Sequence, residues 1–235
     1  MRGIILVIGE ADMTRKLLKY EDMHYSITFP DGYEEGKKYP VLFMIHGAGT
    51  RGDDPRKLND NPFFKIVDEF KNFPFVVIAP LCSANTWFDV YEKLKRFIVA
   101  QTNEPFADKN KIYAIGASMG GYAVWQLGMS MPDIFAAIVP ICGGGMYWNC
   151  RRFINLPVWA FHGEKDTAVN VEESIRMVNA INSIGGNAKL TIYKDTFHDA
   201  WTPTYKNQEV YDWLLSITNK NSKEIVDPYI DPVKY

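Results

Sequence analysis

A serine between two glycines is the first feature of the sequence that could carry chemistry. Residues 112–122 read IYAIGASMGGY, which places Gly116 two positions before Ser118 and Gly120 two positions after it. A β-rich run leads into the serine and apolar residues four apart follow it, so we predict a strand before Ser118 and a helix after it. In that context Gly-x-Ser-x-Gly is typical of a nucleophile elbow, a sharp turn that exposes the serine oxygen above a helix N-terminus. Glycines leave room for such a turn, and we therefore predict that Ser118 is a nucleophile.

A histidine is needed beside it, because a serine hydroxyl is a weak nucleophile at neutral pH without a base. The chain has four histidines. His46 and His162 each precede a glycine at the end of a predicted strand, which suits a strand-to-loop turn, and His24 opens an early strand. His198 falls in a loop between the last predicted strand and the last predicted helix, where no packing period explains it. We predict His198 as the base.

A carboxylate must hold that base in the right tautomer. Asp166 follows a predicted strand and precedes a predicted helix, and Ser118, Asp166 and His198 come in the chain order expected of an α/β-hydrolase sheet. We predict Asp166 as the acid, with the role of a helix N-cap as its alternative. Glu164, on the same loop, stays open as a second candidate. Asp195 and Asp199, on either side of His198, lie too close to it in sequence to face its ring.

Two backbone N–H groups should stabilise the negative charge that develops on the substrate oxygen. One is expected from Met119, directly after the nucleophile, and the other from the loop after the predicted strand that ends at His46. The sequence Gly47-Ala48-Gly49 in that loop has no bulk to keep a substrate away. We predict the N–H of Ala48 as the second donor, with the N–H of Gly47 as the close alternative.

Short β-rich runs alternate with helical patterns, which is typical of a mostly parallel sheet with helices on both faces. We predict an α/β fold in a single domain over residues 1–235, with a turn and an antiparallel start near Asp31-Gly32 and a C-terminal tail at 219–235. The predicted strands are Met23–Phe29, Val41–His46, Phe75–Ala79, Lys111–Gly116, Ala136–Cys142, Val158–His162 and Ala188–Tyr193, and the predicted helices are Trp87–Thr102, Met119–Met131, Val171–Ser183 and Gln208–Ile217.

Composition and charge argue against several classes of protein. Hydrophobic residues make up 47% and charged residues 23% of the 235, as in an ordinary globular domain, and a net charge of −2 argues against nucleic-acid or acidic-membrane partners. Three cysteines form no disulfide framework and no Cys-x-x-Cys pair. The apolar run Ile4–Ile8 is too short to span a membrane and makes a poor signal peptide. We expect a cytoplasmic protein, or a secreted one if a leader once preceded residue 1.

The chain also carries a set of motifs in a fixed order: LFMIHGAGTRGD (42–53), GASMGGY (116–122), VPICGGG (139–145), FHGEKD (161–166) and HDAW (198–201), with Tyr205 and Trp213. This set resembles the small α/β-hydrolase serine esterases of the dienelactone hydrolase-like or "predicted peptidase" branch, near the polyhydroxybutyrate depolymerases and the feruloyl and acetyl-xylan esterases. The resemblance covers Tyr39 to Leu215. It implies an α/β-hydrolase fold, the triad of Ser118, Asp166 and His198, no metal and no organic cofactor.

Two residues depart from the pattern of these esterases. Thr50 stands where a glutamate is expected in the loop after His46, which changes the rim of the pocket. Phe197 stands before the histidine, where relatives often carry glycine, so the histidine loop should be stiffer. Neither residue belongs to the triad.

The site should be open, without a cap domain. Lids in these relatives usually enter between the strand that ends near Cys142 and the next strand, and here the stretch Gly143–Leu156 is too short for a helical cap. Trp87, Trp148 and Trp201 all lie in segments that leave strand ends, and we predict that they form a wall that contacts a sugar or an aryl group. An open site suits a bulky or polymeric alcohol part and a small or planar acyl part.

The function expected from these residues and this resemblance is that of a serine carboxylic-ester hydrolase that forms an acyl-enzyme. Its substrates would be small-acyl or aryl esters, including esters of plant-wall carbohydrate, so the expected partner is a small-molecule or polysaccharide ester. A peptidase or thioesterase with the same triad is the alternative within enzymes. A catalytically silent binding module of the same fold is the alternative outside them.

Overall fold

The computed structural model describes residues 6–7 and 15–219, and these form one sheet flanked by helices. The strands are β1 (Leu6–Val7), β2 (Arg15–Tyr20), β3 (Met23–Thr28), β4 (Tyr39–Ile45), β5 (Val76–Pro80), β6 (Ala107–Ala117), β7 (Ala137–Ile141), β8 (Val158–Gly163) and β9 (Ala188–Tyr193). Among the described residues their order across the sheet is β1-β2-β3-β5-β4-β6-β7-β8-β9. Strands β5, β4, β6, β7, β8 and β9 pair in parallel, each with the next in this order. The pairs β1–β2, β2–β3 and β3–β5 are antiparallel. The predicted mostly parallel sheet with an antiparallel start is confirmed.

Helices cover both faces of the sheet, as predicted. They are α1 (Pro62–Val67), α2 (Tyr91–Thr102), α3 (Met119–Ser130), α4 (Glu172–Ser183), α5 (Trp201–Lys206) and α6 (Gln208–Ser216), with 3-10 turns at Ala48–Thr50, Pro55–Leu58 and Tyr147–Phe153. Side chains alternate along each strand, so Phe43 of β4 packs in the hydrophobic cluster under α2, α3 and α4. Its neighbours Leu42 and Met44 pack in the cluster under α1, α5 and α6.

The carboxyl ends of the parallel strands position the site. β6 lies between β4 and β7 in the middle of the sheet, and it leads directly into α3 at Ser118. β8 and β9 follow on the same side of β7, and the loops that leave them carry Asp166 and His198. Three residues that are far apart in sequence are thereby brought together at the carboxyl ends of the strands, as expected for an open α/β sheet.

Some elements differ from the prediction. β2 was missed because only Leu17 of its six residues is buried, and its charged residues obscure the apolar–polar alternation of a strand. The helices α1 and α5 were missed because each has only six residues, too few for a helical period to show. α2 begins at Tyr91 rather than at Trp87. The connection between β7 and β8 carries only the 3-10 turn Tyr147–Phe153, so this segment supplies no helical cap over the end of the sheet.

The predicted C-terminal tail, 219–235, lies outside the described residues apart from Asn219, and so does most of the apolar run near the N-terminus. Among the residues that the structure describes, no helix combines the length and the apolar character needed to cross a membrane.

Candidate active site

Ser118 sits at a strained corner between β6 and α3. Its backbone has φ 56° and ψ −120°, a conformation that L-residues rarely adopt, and its N–H donates to the carbonyl of Ile141 at 2.9 Å. A Cβ atom at Gly120 would overlap the carbonyl oxygen of Ile45, and one at Gly116 would lie 2.7 Å from the same oxygen. The corner therefore packs directly against the backbone of β4, and this close approach is the reason for a glycine on each side of the serine.

The side chains of Ser118, His198 and Asp166 form a continuous chain of hydrogen bonds. Nε2 of His198 lies 2.9 Å from Oγ of Ser118, and Nδ1 lies 2.7 Å from Oδ2 of Asp166. A carboxylate oxygen only accepts hydrogen bonds, so Nδ1 carries the proton and Nε2 is free to accept the serine hydroxyl. This is the tautomer that a general base for the serine requires. The structure brings the three predicted residues together in the predicted order.

Asp166 is held as a buried carboxylate. Its side chain is fully buried, and Oδ1 accepts the backbone N–H groups of Ala168 and Val169, both at 2.9 Å. Burial alone would raise the pKa of Asp166, but the hydrogen bonds from His198, Val169 and Ala168 outweigh it and lower the pKa below its usual value. The carboxyl group is therefore ionised at neutral pH and stabilises a positive charge on His198.

Glu164, which the sequence left open as the acid, is occupied elsewhere. Its Oε2 accepts the backbone N–H of Asp195 at 3.0 Å. The two acidic residues that flank the histidine have other partners too: Asp195 pairs with Lys165 at 2.6 Å, and Asp199 accepts the N–H of Thr202 at 3.0 Å. Asp166 is thus the acid that is hydrogen-bonded to the histidine.

Two backbone N–H groups near Ser118 belong to the first residue of a helical turn and therefore have no hydrogen-bond acceptor within that turn. Met119 is the first residue of α3, and Ala48 is the first residue of the 3-10 turn Ala48–Thr50. A Cβ atom built on Gly47 would lie 3.2 Å from the carbonyl oxygen of Ala117 and 3.7 Å from Cβ of Ser118. Residues 46–51, called here the oxyanion loop for the role predicted for them, therefore lie against the corner at Ser118. The donors predicted from the sequence are adjacent to Ser118, and the choice between Ala48 and Gly47 stays a prediction.

Comparison with known proteins gives the family. The model of the dienelactone hydrolase family matches residues 75–214, more than half of the chain. The chain belongs to the dienelactone hydrolase family. It is a hydrolase with the α/β-hydrolase fold, as the motifs implied.

Relatives of this family member are named both as esterases and as peptidases. A solved thermostable esterase is 31% identical, with a TM-score of 0.72, over 88% of this chain and 63% of that one. The feruloyl esterase module from Clostridium thermocellum, solved with sinapinate, is 15% identical, with a TM-score of 0.64, over 92% of this chain and 90% of that one. Dipeptidyl-peptidase 5 of Schizosaccharomyces pombe is 25% identical over 86% of this chain, and that of Aspergillus fumigatus is 22% identical over 97%. The chain spans only 37% and 39% of the lengths of these two peptidases.

His162 of this dienelactone hydrolase-family chain supports the acid, a role that its sequence position did not indicate. The imidazole is fully buried, and burial lowers its pKa, so the ring is neutral at neutral pH. Its Nε2–H donates to the carbonyl of Val169 at 2.9 Å and lies 3.4 Å from Oδ2 of Asp166, while Nδ1 lies 2.8 Å from Oγ of Ser174. The ring fills the inside of the loop that carries Asp166. In the sequence, His162 stands four residues before Asp166, and its place before a glycine indicated only a strand-to-loop turn.

An open cleft of about 570 Å³ lies between the oxyanion loop and α5. Ser118 and His198 line one side of it, and Trp201 stands next to them with its ring edge-on to the imidazole, at 5.2 Å between centroids and 89° between planes. Asn61 and Tyr205 also line the cleft. The lining of the cleft is thus aromatic at Trp201 and Tyr205 and polar at Asn61.

The predicted wall of three tryptophans is wrong in part. Trp87 is fully buried, and its Nε1–H donates to the backbone carbonyl of His46 at 2.9 Å, so it packs in the core and does not reach substrate. Trp148 is 72% exposed on the 3-10 turn after β7 and is not among the residues that line the cleft. Trp201 alone of the three lies in the cleft. Residues that follow the carboxyl ends of the strands all lie at the same end of the sheet, but their side chains can point into the core as well as toward the cleft.

Cys142 lies close to the triad without joining it. Its Sγ, a carboxylate oxygen of Asp166 and a ring nitrogen of His198 all lie within 4.8 Å of one another, the one such group of possible metal ligands among the described residues. Burial raises the pKa of the Cys142 thiol to about 12, so the sulfur is protonated at neutral pH and is a poor metal ligand. The acid and the base are already bonded to each other. The arrangement suits proton transfer better than metal binding, and the absence of a cofactor stays a prediction.

Proposed function

We propose that the chain is a serine carboxylic-ester hydrolase that works through an acyl-enzyme. The observation that carries the proposal is the continuous hydrogen-bonded chain from Asp166 through His198 to Ser118, at 2.7 and 2.9 Å, on a strained nucleophile corner. Groups in this arrangement activate a serine hydroxyl at neutral pH. A binding module that had lost catalysis would have no need to keep all three groups in register.

The geometry supports a two-step reaction. Oγ of Ser118 attacks the ester carbonyl while Nε2 of His198 takes the hydroxyl proton, and the resulting imidazolium is stabilised by Asp166. The N–H groups of Met119 and Ala48 stabilise the negative charge on the tetrahedral oxygen. When the C–O bond of the ester breaks, the imidazolium gives its proton to the leaving alcohol. Water then repeats the sequence on the acyl-enzyme and releases the acid.

The shape of the site favours an ester with a small or planar acyl part. Within the part of the chain that the structure describes, no helical cap covers the cleft beside Ser118, and Trp201 offers an aromatic surface next to the base. A bulky alcohol part, including a plant-wall sugar, would extend over the open side of the serine. The solved relative named as a feruloyl esterase module supports this substrate class.

A peptidase with the same triad is the second candidate, because the relatives in fungi are named dipeptidyl-peptidase 5. Those proteins are more than twice as long as this chain, so parts of them have no counterpart here. The same groups that cleave an ester also cleave a thioester. Substrate selection therefore decides between these activities, and it has to be measured.

The decisive experiment is a substrate panel with Ser118→Ala as the matched control. The panel contains p-nitrophenyl acetate through octanoate, acetylated xylan, methyl ferulate and a dipeptide p-nitroanilide. We expect the wild-type chain to prefer short-chain or aryl esters and Ser118→Ala to lose a factor on the order of 10⁶ in kcat, the loss seen when a triad nucleophile is removed. Faster cleavage of the anilide than of every ester would make the chain a peptidase. Ester cleavage that survives in Ser118→Ala would refute the assignment of the nucleophile.

A further inference from the structure

We propose that His46 and Trp87 are positioning residues for the oxyanion loop, each fixing one of the two successive peptide groups whose N–H groups are the candidate donors. The proposal rests on the proposed function, since an oxyanion loop matters only if Ser118 is a nucleophile. It concerns two buried residues that the catalytic triad does not use.

The peptide group is planar and trans, with C=O and N–H on opposite sides. A hydrogen bond to a carbonyl oxygen therefore fixes the direction of the N–H of the following residue. Nδ1 of His46 lies 2.7 Å from the carbonyl oxygen of Gly47, which shares its peptide group with the N–H of Ala48. Nε1–H of Trp87 donates to the carbonyl of His46 at 2.9 Å, which shares its peptide group with the N–H of Gly47. Each candidate donor is thus held from behind by one side chain, and the hydrogen bond on the carbonyl also polarises the N–H.

The tautomer of His46 is set by its other neighbour. The backbone N–H of Cys82 donates to Nε2 of His46 at 3.0 Å, so Nε2 carries no proton and Nδ1–H is the donor to Gly47. Burial lowers the pKa of His46 to about 4, which keeps the ring in this neutral form at neutral pH. The ring of Trp87 packs against it with 4.8 Å between centroids. Both side chains have 1% or less of their surface exposed, and neither is among the residues that line the cleft.

The loop between β5 and α2 completes this support. The N–H of Gly52 donates to the carbonyl of Cys82 at 3.0 Å, and Nη1 of Arg51 donates to the carbonyl of Asn85 at 2.5 Å. Together with the bonds from Cys82 and Trp87, four hydrogen bonds join the β5–α2 loop to residues 46–52. The oxyanion loop is therefore held before substrate arrives, and donors that are already oriented stabilise a transition state most effectively.

Trp87→Phe tests the proposal, with Trp159→Phe as its matched control. Phenylalanine keeps most of the buried ring but removes Nε1–H. Trp159 also loses one side-chain hydrogen bond on this change, from Nε1 to Oγ1 of Thr191 at 3.0 Å, but it lies on β8 away from the oxyanion loop. A complete oxyanion donor is worth about 10²–10³ in kcat, and a donor that is only less well oriented should cost about tenfold. Because the peptide group of Gly47 directly precedes that of Ala48 in the chain, its displacement also turns the N–H of Ala48. We therefore expect Trp87→Phe to lower kcat for p-nitrophenyl acetate about tenfold with KM changed less than twofold, and Trp159→Phe to change both less than twofold.

A second measurement separates positioning from a loss of packing. Phenylboronic acid forms a tetrahedral adduct with an active serine, so its inhibition constant should rise in Trp87→Phe by the same factor by which kcat/KM falls. Inhibition by the product acetate, which places no tetrahedral oxygen in the hole, should stay unchanged. For His46, the asparagine variant keeps a donor near the position of Nδ1 and should retain at least three times the kcat of the leucine variant.

The outcomes keep this proposal distinct from the proposed function. If the wild-type chain cleaves no ester, the proposed function fails first. If the wild-type chain is active and Ser118→Ala is not, the proposed function stands and the variants at 46 and 87 test the positioning role alone. A Trp87→Phe variant that melts like Trp159→Phe and matches its kcat, or that raises KM with kcat unchanged, would overturn the proposal.

Discussion

Replacing Asp166 by asparagine should disable the base without removing it. Oδ1 of Asp166 accepts two backbone N–H groups, from Ala168 and Val169, and both need an oxygen opposite them. An asparagine therefore keeps its amide oxygen at that position and turns its NH₂ group toward Nδ1 of His198, where the carboxylate oxygen stood at 2.7 Å. Nδ1 must then accept a hydrogen bond, so the ring proton moves to Nε2 and faces Ser118.

The ring can no longer take the serine proton in that tautomer. The loss expected from this tautomer change is about 10⁴ in kcat, which corresponds to about 5.4 kcal/mol of transition-state stabilisation at 1.36 kcal/mol for each factor of ten. The assay is steady-state hydrolysis of p-nitrophenyl acetate at pH 7.5, with thermal unfolding of each variant measured in parallel. KM should change little, because Asp166 is buried and does not contact substrate.

Glu164→Gln is the control for Asp166→Asn. The amide oxygen of a glutamine can still accept the N–H of Asp195, as Oε2 of Glu164 does at 3.0 Å, so we expect kcat within threefold of the wild type. An Asp166→Asn variant that keeps more than a tenth of the wild-type kcat would refute the tautomer argument. A Glu164→Gln variant that loses as much as Asp166→Asn would identify Glu164 as the acid.

Two further predictions concern stability and metal dependence. The pKa of His46 falls from 6.5 to about 4 on folding, so between these values the unfolded chain binds a proton that the folded chain does not; the free energy of unfolding should therefore decrease as pH falls through this window, by about 3 kcal/mol from this residue. Urea unfolding at pH 7 and pH 4 should show a smaller decrease in the free energy of unfolding for His46→Asn, whose side chain does not titrate, than for the wild type. Equal decreases in the two proteins would contradict the lowered pKa of His46. EDTA at millimolar concentration should leave the rate of ester cleavage unchanged, since Cys142 is protonated and Asp166 and His198 bind each other; a loss of rate that zinc restores would show a metal site instead.

The parts of the site that could be predicted from sequence are those set by local chain geometry. The corner at Ser118 needs a strand, a strained residue and a helix within a short stretch, so its signal lies in neighbouring residues. His198 was identified because the loop after a strand gave it no packing role. The parallel sheet followed in the same way from the alternation of strands and helices. Each of these inferences used contacts close in sequence or a rule that holds for all sheets of this kind.

The parts that could not be predicted depend on contacts that form only in the folded chain. Asp166 and Glu164 lie two residues apart, and their different roles follow from the N–H groups that each carboxylate accepts. Asp166 accepts the N–H of Val169, whereas Glu164 accepts the N–H of Asp195. Trp87 lies in the loop that follows β5, where pocket residues are expected, but its ring packs in the core beneath the oxyanion loop. A sequence gives the strand from which a side chain departs, while its direction depends on packing against other segments.

The placement of the triad across the sheet also affects how the chain should lose activity. Ser118 follows β6, a central strand with neighbours on both sides, whereas His198 follows β9, which pairs with β8 alone and forms one edge of the described sheet. Edge strands open at a lower free energy than central strands, because fewer backbone hydrogen bonds and fewer buried contacts have to be broken. Detachment of β9 would separate the base from the nucleophile while the rest of the sheet stays folded. We therefore expect the amide hydrogens of β9 to exchange before those of β6, and catalytic competence to disappear at temperatures below the melting of the core.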